Sequence, residues 1–175
     1  MVRALERVFS ATSGSTTFGS AAWPSFPSVV PYAIPCRVPL VVLDTNVLVS
    51  AIRSRRGASF RILELVGTGA FDIAVSVPLV FEYEDALLRH IEATALGRSD
   101  IEAIIDYVCA ESQHQNIFYL WRPLLRDPKD DMIAELAVAA GCDAIVTHNV
   151  RDFSEIGRFG VRVFKPGDFL KKLGV

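Results

Sequence analysis

Four acidic residues follow predicted β-strands closely in the sequence: Asp44, Glu82, Asp130 and Asp152. In a parallel sheet, side chains that follow the strands meet at one edge, where ligands bind. Carboxylates gathered there repel each other unless a divalent cation neutralises them. Ligation by oxygen alone suits Mg²⁺ or Mn²⁺, and such ions activate water and clamp the oxygens of a phosphodiester. The set therefore predicts metal-dependent hydrolysis of phosphodiester bonds.

Each acid also has a purely structural interpretation. Asp44 directly follows an apolar strand, where it can equally cap the next helix. Glu82 lies on the apolar stripe of its helix, so it needs either a cation or a neighbouring arginine. Asp130 follows Asp127 and Pro128, which together are ordinary helix-start chemistry. What capping does not explain is that the stripe positions of Glu82 and Asp130 point towards the same edge as Asp44.

The segment after the fourth predicted strand adds further polar groups to that edge. Thr147, Asn149 and Asp152 lie within six residues of one another. His148 lies between them and is either a ligand or base, or a surface residue; as the only histidine in this cluster it is better explained as a surface residue.

Strands and helices alternate along the chain, which indicates an α/β fold with a mainly parallel sheet. The apolar runs predict strands at 38–43, 71–77, 117–121, 144–147 and 161–164. Helical periodicity and punctuation by Gly and Pro predict helices at 45–52, 59–66, 78–90, 99–110, 128–140 and 166–173. Ser99 with Glu102 predicts a capping box at the start of the fourth helix.

Length and composition limit the organisation of the chain. Its 175 residues are one domain, or one domain with a tail. Residues 8–36 carry no charge and are cut by prolines, so 1–37 are expected to be a flexible extension or a start site placed too far upstream, and 38–175 the folded domain. That segment is too polar for a membrane span or a signal peptide.

Three cysteines exclude a disulfide framework and favour a reducing, cytoplasmic setting. The net charge of −2 argues against nucleic-acid binding by global basicity.

Four motifs in order resemble those of the PIN domain family. They are VLDTNVLVS at 42–50, FEYEDALLR at 81–89, DPKDD at 127–131 and IVTHNVRDF at 145–153. The resemblance runs from about residue 38 to 170, and in detail it is similar to the VapC-type toxins of bacterial and archaeal toxin–antitoxin pairs.

The resemblance implies a three-layer α/β/α fold with a five-stranded sheet in the order 3-2-1-4-5. It also implies a Mg²⁺- or Mn²⁺-dependent endoribonuclease that hydrolyses RNA. Asp44, Glu82 and Asp130 match the family's metal-binding acids, and Thr45, Asn46 and Thr147 match the polar residues that orient them. Asn149 stands where many relatives have a fourth acid. Asn149 could coordinate an ion through its carbonyl oxygen without adding charge, or Asp152, three residues on, could take the place of the fourth catalytic and metal-binding acid.

The substrate contacts that this function requires have two sets of candidates. Arg53, Arg55 and Arg56 form the dense basic cluster of the domain, which is either an RNA-backbone contact or a solvated loop. Phe118, Tyr119 and Trp121 could stack bases, but in a short apolar strand they are better explained as core.

The resemblance also implies partners, namely an RNA substrate, a cognate antitoxin that covers the acidic site, and a second copy in a homodimer. Two other interpretations are open. A catalytically degenerate PIN domain would bind RNA or protein without cleaving, and Asn149 favours it. A haloacid-dehalogenase-like phosphatase also begins with Asp after an apolar strand, but that chemistry needs a second Asp where this chain has Asn46.

Overall fold

The computed structural model describes residues 38–118, 125 and 128–175; for Pro128 and Lys129 only the backbone is described. The N-terminal segment 1–37, which we expect to be an extension, lies outside this part of the chain. Within the described residues, neither Cys109 nor Cys142 forms a disulfide bond. None of the helices described here has both the length and the apolar character needed to cross a membrane.

Five strands form one parallel sheet in the order β3-β2-β1-β4-β5, which confirms the predicted order. The strands are β1 (Leu40–Leu43), β2 (Asp72–Val75), β3 (Ser112–His114), β4 (Ala144–Val146) and β5 (Arg162–Phe164). The four residues of β1 are all buried. Parallel strands covered on both faces read as continuous apolar runs, which is why LVVL forms the central strand.

Helices cover the sheet and complete the three layers of an α/β/α fold. They are α1 (Thr45–Arg53), α2 (Ala58–Leu65), α3 (Val77–Arg89), α4 (Arg98–Ala110), α5 (Pro128–Ala139) and α6 (Pro166–Leu173), with 3₁₀ turns at Ile91–Ala93 and Ser154–Phe159. Helix α1 packs on α2 and α3, α3 packs on α4, and α5 contacts β1 and β4. The helices that follow β1 and β2, together with α5, therefore converge on the carboxyl end of the central strand.

The third strand is not where the sequence predicted it. β3 is Ser112–His114, whereas the apolar run at 117–121 was expected to form it. β3 has one neighbouring strand, and its Gln113 and His114 side chains are exposed, so this segment carries no apolar signal. Phe118 is 82% exposed, so its assignment to the core is wrong. Tyr119 and Trp121 lie outside the described residues.

The start of α4 also differs from the prediction. The N-cap is Gly97, whose N–H donates to Asp100 Oδ2 at 2.8 Å. The predicted capping box of Ser99 and Glu102 is wrong, because Ser99 already lies inside the helix and Glu102 pairs with Arg98 at 3.3 Å. Asp127, the predicted cap of α5, lies outside the described residues.

Candidate active-site cleft

Asp44 lies at the carboxyl end of β1 and is held on several sides. Its side chain caps α1 by accepting the Asn46 N–H at 3.3 Å, as one of the two sequence interpretations predicted. Its Oδ2 also accepts the Asn46 side-chain amide at 2.6 Å and the Thr147 hydroxyl at 2.5 Å. Asp44 is only 5% exposed. The carboxylate is therefore fixed before any ligand binds.

Burial also sets the electrostatics of this carboxyl. Desolvation raises the pKa of Asp44 above its ordinary value, and the hydrogen bonds from Thr147 and Asn46 and the nearby His148 offset this only in part. A buried carboxylate with incomplete compensation favours any positive charge that reaches it. Asp44 thus acts as a cap and at the same time presents an undercompensated negative charge.

A hydrogen-bond network joins the ends of β1 and β4 behind Asp44. Asn46 donates to the Thr147 hydroxyl at 3.2 Å and accepts the His148 N–H at 3.1 Å. The Thr147 hydroxyl accepts the Asn149 N–H at 2.9 Å. Thr147 is fully buried, so its hydroxyl contacts the Asp44 carboxylate from the protein interior.

Glu82 comes from α3, which a buried phenol ties to the same strand end. The Tyr83 hydroxyl donates to the carbonyl of Leu43, the residue before Asp44, and burial raises the pKa of Tyr83 well above its ordinary value. Glu82 is half-buried, with its Oε1 3.3 Å from Arg89 Nη2. The ion pair between Glu82 and an arginine, which the sequence left open, is therefore present. The pair is exposed, and Arg89 also pairs with Asp85 at 3.0 Å.

Asp130 comes from the first turn of α5 and is half-buried. Its neighbour Asp131 is fully buried and accepts the Leu125 N–H at 2.7 Å. Glu135 is buried as well. The middle turns of α5 are buried on nearly all sides, so the burial of Asp131 and Glu135 does not follow from the stripe that Asp130 extends.

One cleft of about 700 Å³ brings the predicted residues together. Asp44, Thr45, Asn46, Arg53, Glu82, Asp130 and Asn149 line it, together with residues that the sequence did not single out, among them Ser50, Ser54, Arg89 and His90. Asp152 does not line it: that residue is exposed, and its N–H donates to the Asn149 carbonyl at 3.1 Å. Three of the four predicted acids thus share the cleft.

The comparison with family models matches residues 40–151 to the PIN domain. The chain belongs to the PIN domain family. The match includes the three cleft acids and Asn149 and ends one residue before Asp152. PIN domains are commonly nucleases, and a nuclease domain binds nucleic acid. A comparison with the curated proteins finds no match.

PIN domains typically use divalent cations. The side-chain oxygen atoms of the cleft can therefore be compared with the ligands that such a cation requires. Within the described ranges, no three acidic, histidine or cysteine side chains are grouped closely enough to hold one ion. Mg²⁺ needs no such cage, because it keeps several waters and binds through one or two carboxylates. Oxygen donors line the cleft, among them those of Asp44, Glu82 and Asp130, and such donors suit a hydrated hard cation.

The three arginines of the basic cluster, Arg53, Arg55 and Arg56, lie in different surroundings in the structure. Arg53 lines the cleft. Arg55 instead lines a separate apolar cavity of about 110 Å³ between α1 and α2, and Arg56 is exposed and lines neither. Of the three, Arg53 is placed to contact a ligand beside the acids.

His148 is exposed, as the sequence favoured, but it is not isolated. Its Nε2 lies 2.9 Å from the hydroxyl of Ser59, a buried residue of α2. Sequence reasoning missed this contact, because Ser59 precedes His148 by 89 residues and lies in no motif. The bond links α2 to the segment that positions Asn149.

Proposed function

We propose that this PIN domain is a Mg²⁺- or Mn²⁺-dependent endoribonuclease. The observation that supports this best is the state of Asp44, a buried carboxylate fixed by Asn46 and Thr147, with Glu82 and Asp130 lining the same cleft. A bound divalent cation would supply charge neutralisation and water activation at these oxygens. We propose Asp44 as its direct carboxylate ligand and Glu82 or Asp130 as a second, with the remaining acid reaching the ion through bound water.

The other residues of the cleft would act by position and polarity. Asn46 and Thr147 keep the Asp44 carboxylate in one orientation, so that no reorganisation is needed when a ligand enters. Thr45 and Asn149 present uncharged polar groups to the cleft, and Arg53 can contact an RNA phosphate. Because Asp152 lies outside the cleft, we propose Asn149 rather than Asp152 as the fourth group that faces the ion.

The test is cleavage of RNA by the purified chain. We expect Mn²⁺-dependent cleavage that EDTA abolishes, and that Asp44→Asn and Asp130→Asn remove while circular dichroism shows an intact fold. A folded, Mn²⁺-loaded protein that cleaves neither structured nor messenger RNA would contradict the proposal.

We further propose that the chain is the toxin of a toxin–antitoxin pair, acts in the cytoplasm and forms a homodimer. The support is the similarity of its four motifs to VapC-type toxins. An antitoxin segment would cover the cleft and its acids. Induced expression is expected to arrest growth, and Asp44→Asn to be harmless at the same protein level. Continued growth with a stable, active wild-type protein would contradict the toxin role.

A second candidate is a degenerate PIN domain that binds RNA or protein without cleavage. Two observations favour it, namely Asn149 at the position of a family acid and the pairing of Glu82 with Arg89. Titration calorimetry with Mn²⁺ separates the two candidates, because a degenerate domain would show no binding at millimolar metal.

A further inference from the structure

A second groove lies on the β5 side of the molecule and has no part in the proposed chemistry. Its volume is about 590 Å³. It runs between β5, the outer strand of the sheet on this side, and the segment that follows β4. Val150, Phe153, Val161 and Phe164 line it together with Arg151 and Arg162. The groove therefore has an apolar floor with two arginines.

The two arginines differ from several others in the described structure. Arg151 and Arg162 are exposed, and neither forms an ion pair with any described residue. By contrast, Arg61, Arg98 and Arg158 each pair with a glutamate three or four residues away. The Arg162 guanidinium lies 5.5 Å from the centroid of the Phe164 ring. Such stacking orients the planar group and leaves its N–H edges available for an anion.

The groove is continuous with the active-site cleft along the chain. Asn149 lines the cleft, and the next two residues, Val150 and Arg151, line the groove. The strands on either side are also joined, because the Thr147 N–H donates to the Phe164 carbonyl at 2.9 Å. Arg151 in the groove is therefore only two residues from Asn149 in the cleft.

The charges nearby suit a polyanion. Of the two acids in this segment, Glu155 is engaged by Arg158 at 3.6 Å, and Asp152 is exposed but does not line the groove. Arginines contact the phosphates of single-stranded nucleic acid, and apolar or aromatic surfaces accept its unpaired bases. The groove offers both kinds of surface side by side.

We infer that this β5 groove binds single-stranded RNA, with Arg151 and Arg162 contacting the phosphates of nucleotides beyond those held in the cleft. The inference rests on the proposed ribonuclease function for the identity of the strand. It assigns the substrate an extended path over the β4–β5 side of the sheet.

The experiment measures binding of a fluorescent 12-nucleotide single-stranded RNA by anisotropy, with the full chain in EDTA so that no RNA is cleaved. The test variant is Arg151→Gln with Arg162→Gln. The matched control is Arg61→Gln with Arg98→Gln, which removes the same charge from two arginines that are ion-paired and do not line the groove. Each phosphate contact to a single strand contributes about 0.7 to the slope of log affinity against log salt.

We expect the groove variant to bind more weakly than wild type and to lose about 1.4 from that slope. Between 50 and 200 mM salt, wild type would then lose about sevenfold more affinity than the groove variant. The control is expected to keep the wild-type slope. If the groove variant and the control have the same affinity and slope, the inference is overturned, and an acidic protein segment becomes the better occupant.

A cleavage assay on the same proteins separates this inference from the proposed function. Wild-type cleavage together with unaltered binding by the groove variant would overturn the groove and leave the ribonuclease intact. Absence of cleavage together with arginine-dependent binding would overturn the ribonuclease and support the groove. A wild-type protein that binds no RNA in the same assay would overturn the inference directly.

Discussion

The two sides of the active-site cleft are built in opposite ways. On the strand side, Asp44 is buried, caps α1, and is held by two side chains from different segments. On the helix side, Glu82 is half-buried and forms an ion pair with the exposed Arg89. The Tyr83 phenol connects the two sides, because it is next to Glu82 in sequence and donates to the carbonyl of Leu43.

This contrast shows that one site can combine a fixed carboxylate, Asp44, with a mobile one, Glu82. Hydrogen bonds from Thr147 and Asn46 fix the direction of Asp44 without removing the effect of its burial. Glu82 is partly exposed, so it can leave its ion pair with Arg89 and contact a ligand at little cost in free energy. We therefore expect the strand side to determine whether a cation binds, and the helix side to adjust how tightly.

The largest expected effect is a difference between two charge-neutral substitutions. Asp44→Asn is expected to weaken Mn²⁺ binding by more than about 100-fold, beyond the usual loss from an outer-shell partner, whereas Glu82→Gln is expected to cost about tenfold. Titration calorimetry measures both. Equal losses would show that the two sides of the cleft do not differ in this way.

Thr147 tests how much of the effect of Asp44 comes from its orientation. Thr147→Val removes the hydroxyl that donates to Asp44 at 2.5 Å, and we expect Mn²⁺ affinity to fall about 10- to 100-fold. Thr147→Ser keeps the hydroxyl and should restore most of the affinity. Loss of affinity in both variants would assign Thr147 a packing role instead.

The pH dependence of metal-free stability tests the burial of Asp44. Because its pKa is raised in the folded state, the stability it contributes is full below its ordinary pKa and is lost as the pH rises through the raised value. In EDTA, Asp44→Asn should therefore gain stability relative to wild type as the pH rises from about 4 to 7. Urea denaturation at both pH values measures this. A relative stability that does not change with pH would contradict the account of the strand side.

The smallest expected effect concerns Arg89 on the helix side. Arg89→Gln removes a cation that competes for Glu82, and an exposed pair contributes about 0.2–1 kcal/mol, so Mn²⁺ affinity should rise by up to about fivefold. Arg98→Gln, which removes an exposed pair on α4, is the control. Unchanged affinity in Arg89→Gln would mean that the pair does not restrain Glu82.

The central part of this fold was predictable, because its buried strands are encoded as apolar runs. The position of β1 and the helical cap at Asp44 depend on such local signals, whereas the sheet order was implied by the resemblance to PIN domains. β3 was missed because Ser112, Gln113 and His114 lie at the edge and have no apolar pattern. Gly97 replaced Ser99 as a cap because the helix extends two residues further upstream than its capping motif indicates.

The sequence predicted which acids line the candidate site better than it predicted the contacts around them. Asp44, Glu82 and Asp130 line one cleft, as topology and helix faces indicated. The Arg89 pair, the burial of Asp131 and the contact between Ser59 and His148 depend on packing between distant segments. No local pattern carries that information, and the same holds for the displacement of Asp152 from the cleft.

The most direct test of the central claim is an anomalous difference map from crystals of the full chain soaked in Mn²⁺. We predict a Mn²⁺ peak in the cleft with Asp44 as a direct ligand and Glu82 or Asp130 as a second carboxylate. A well-ordered cleft without a peak at millimolar Mn²⁺, or a peak bound only by residues outside the cleft, would contradict the claim.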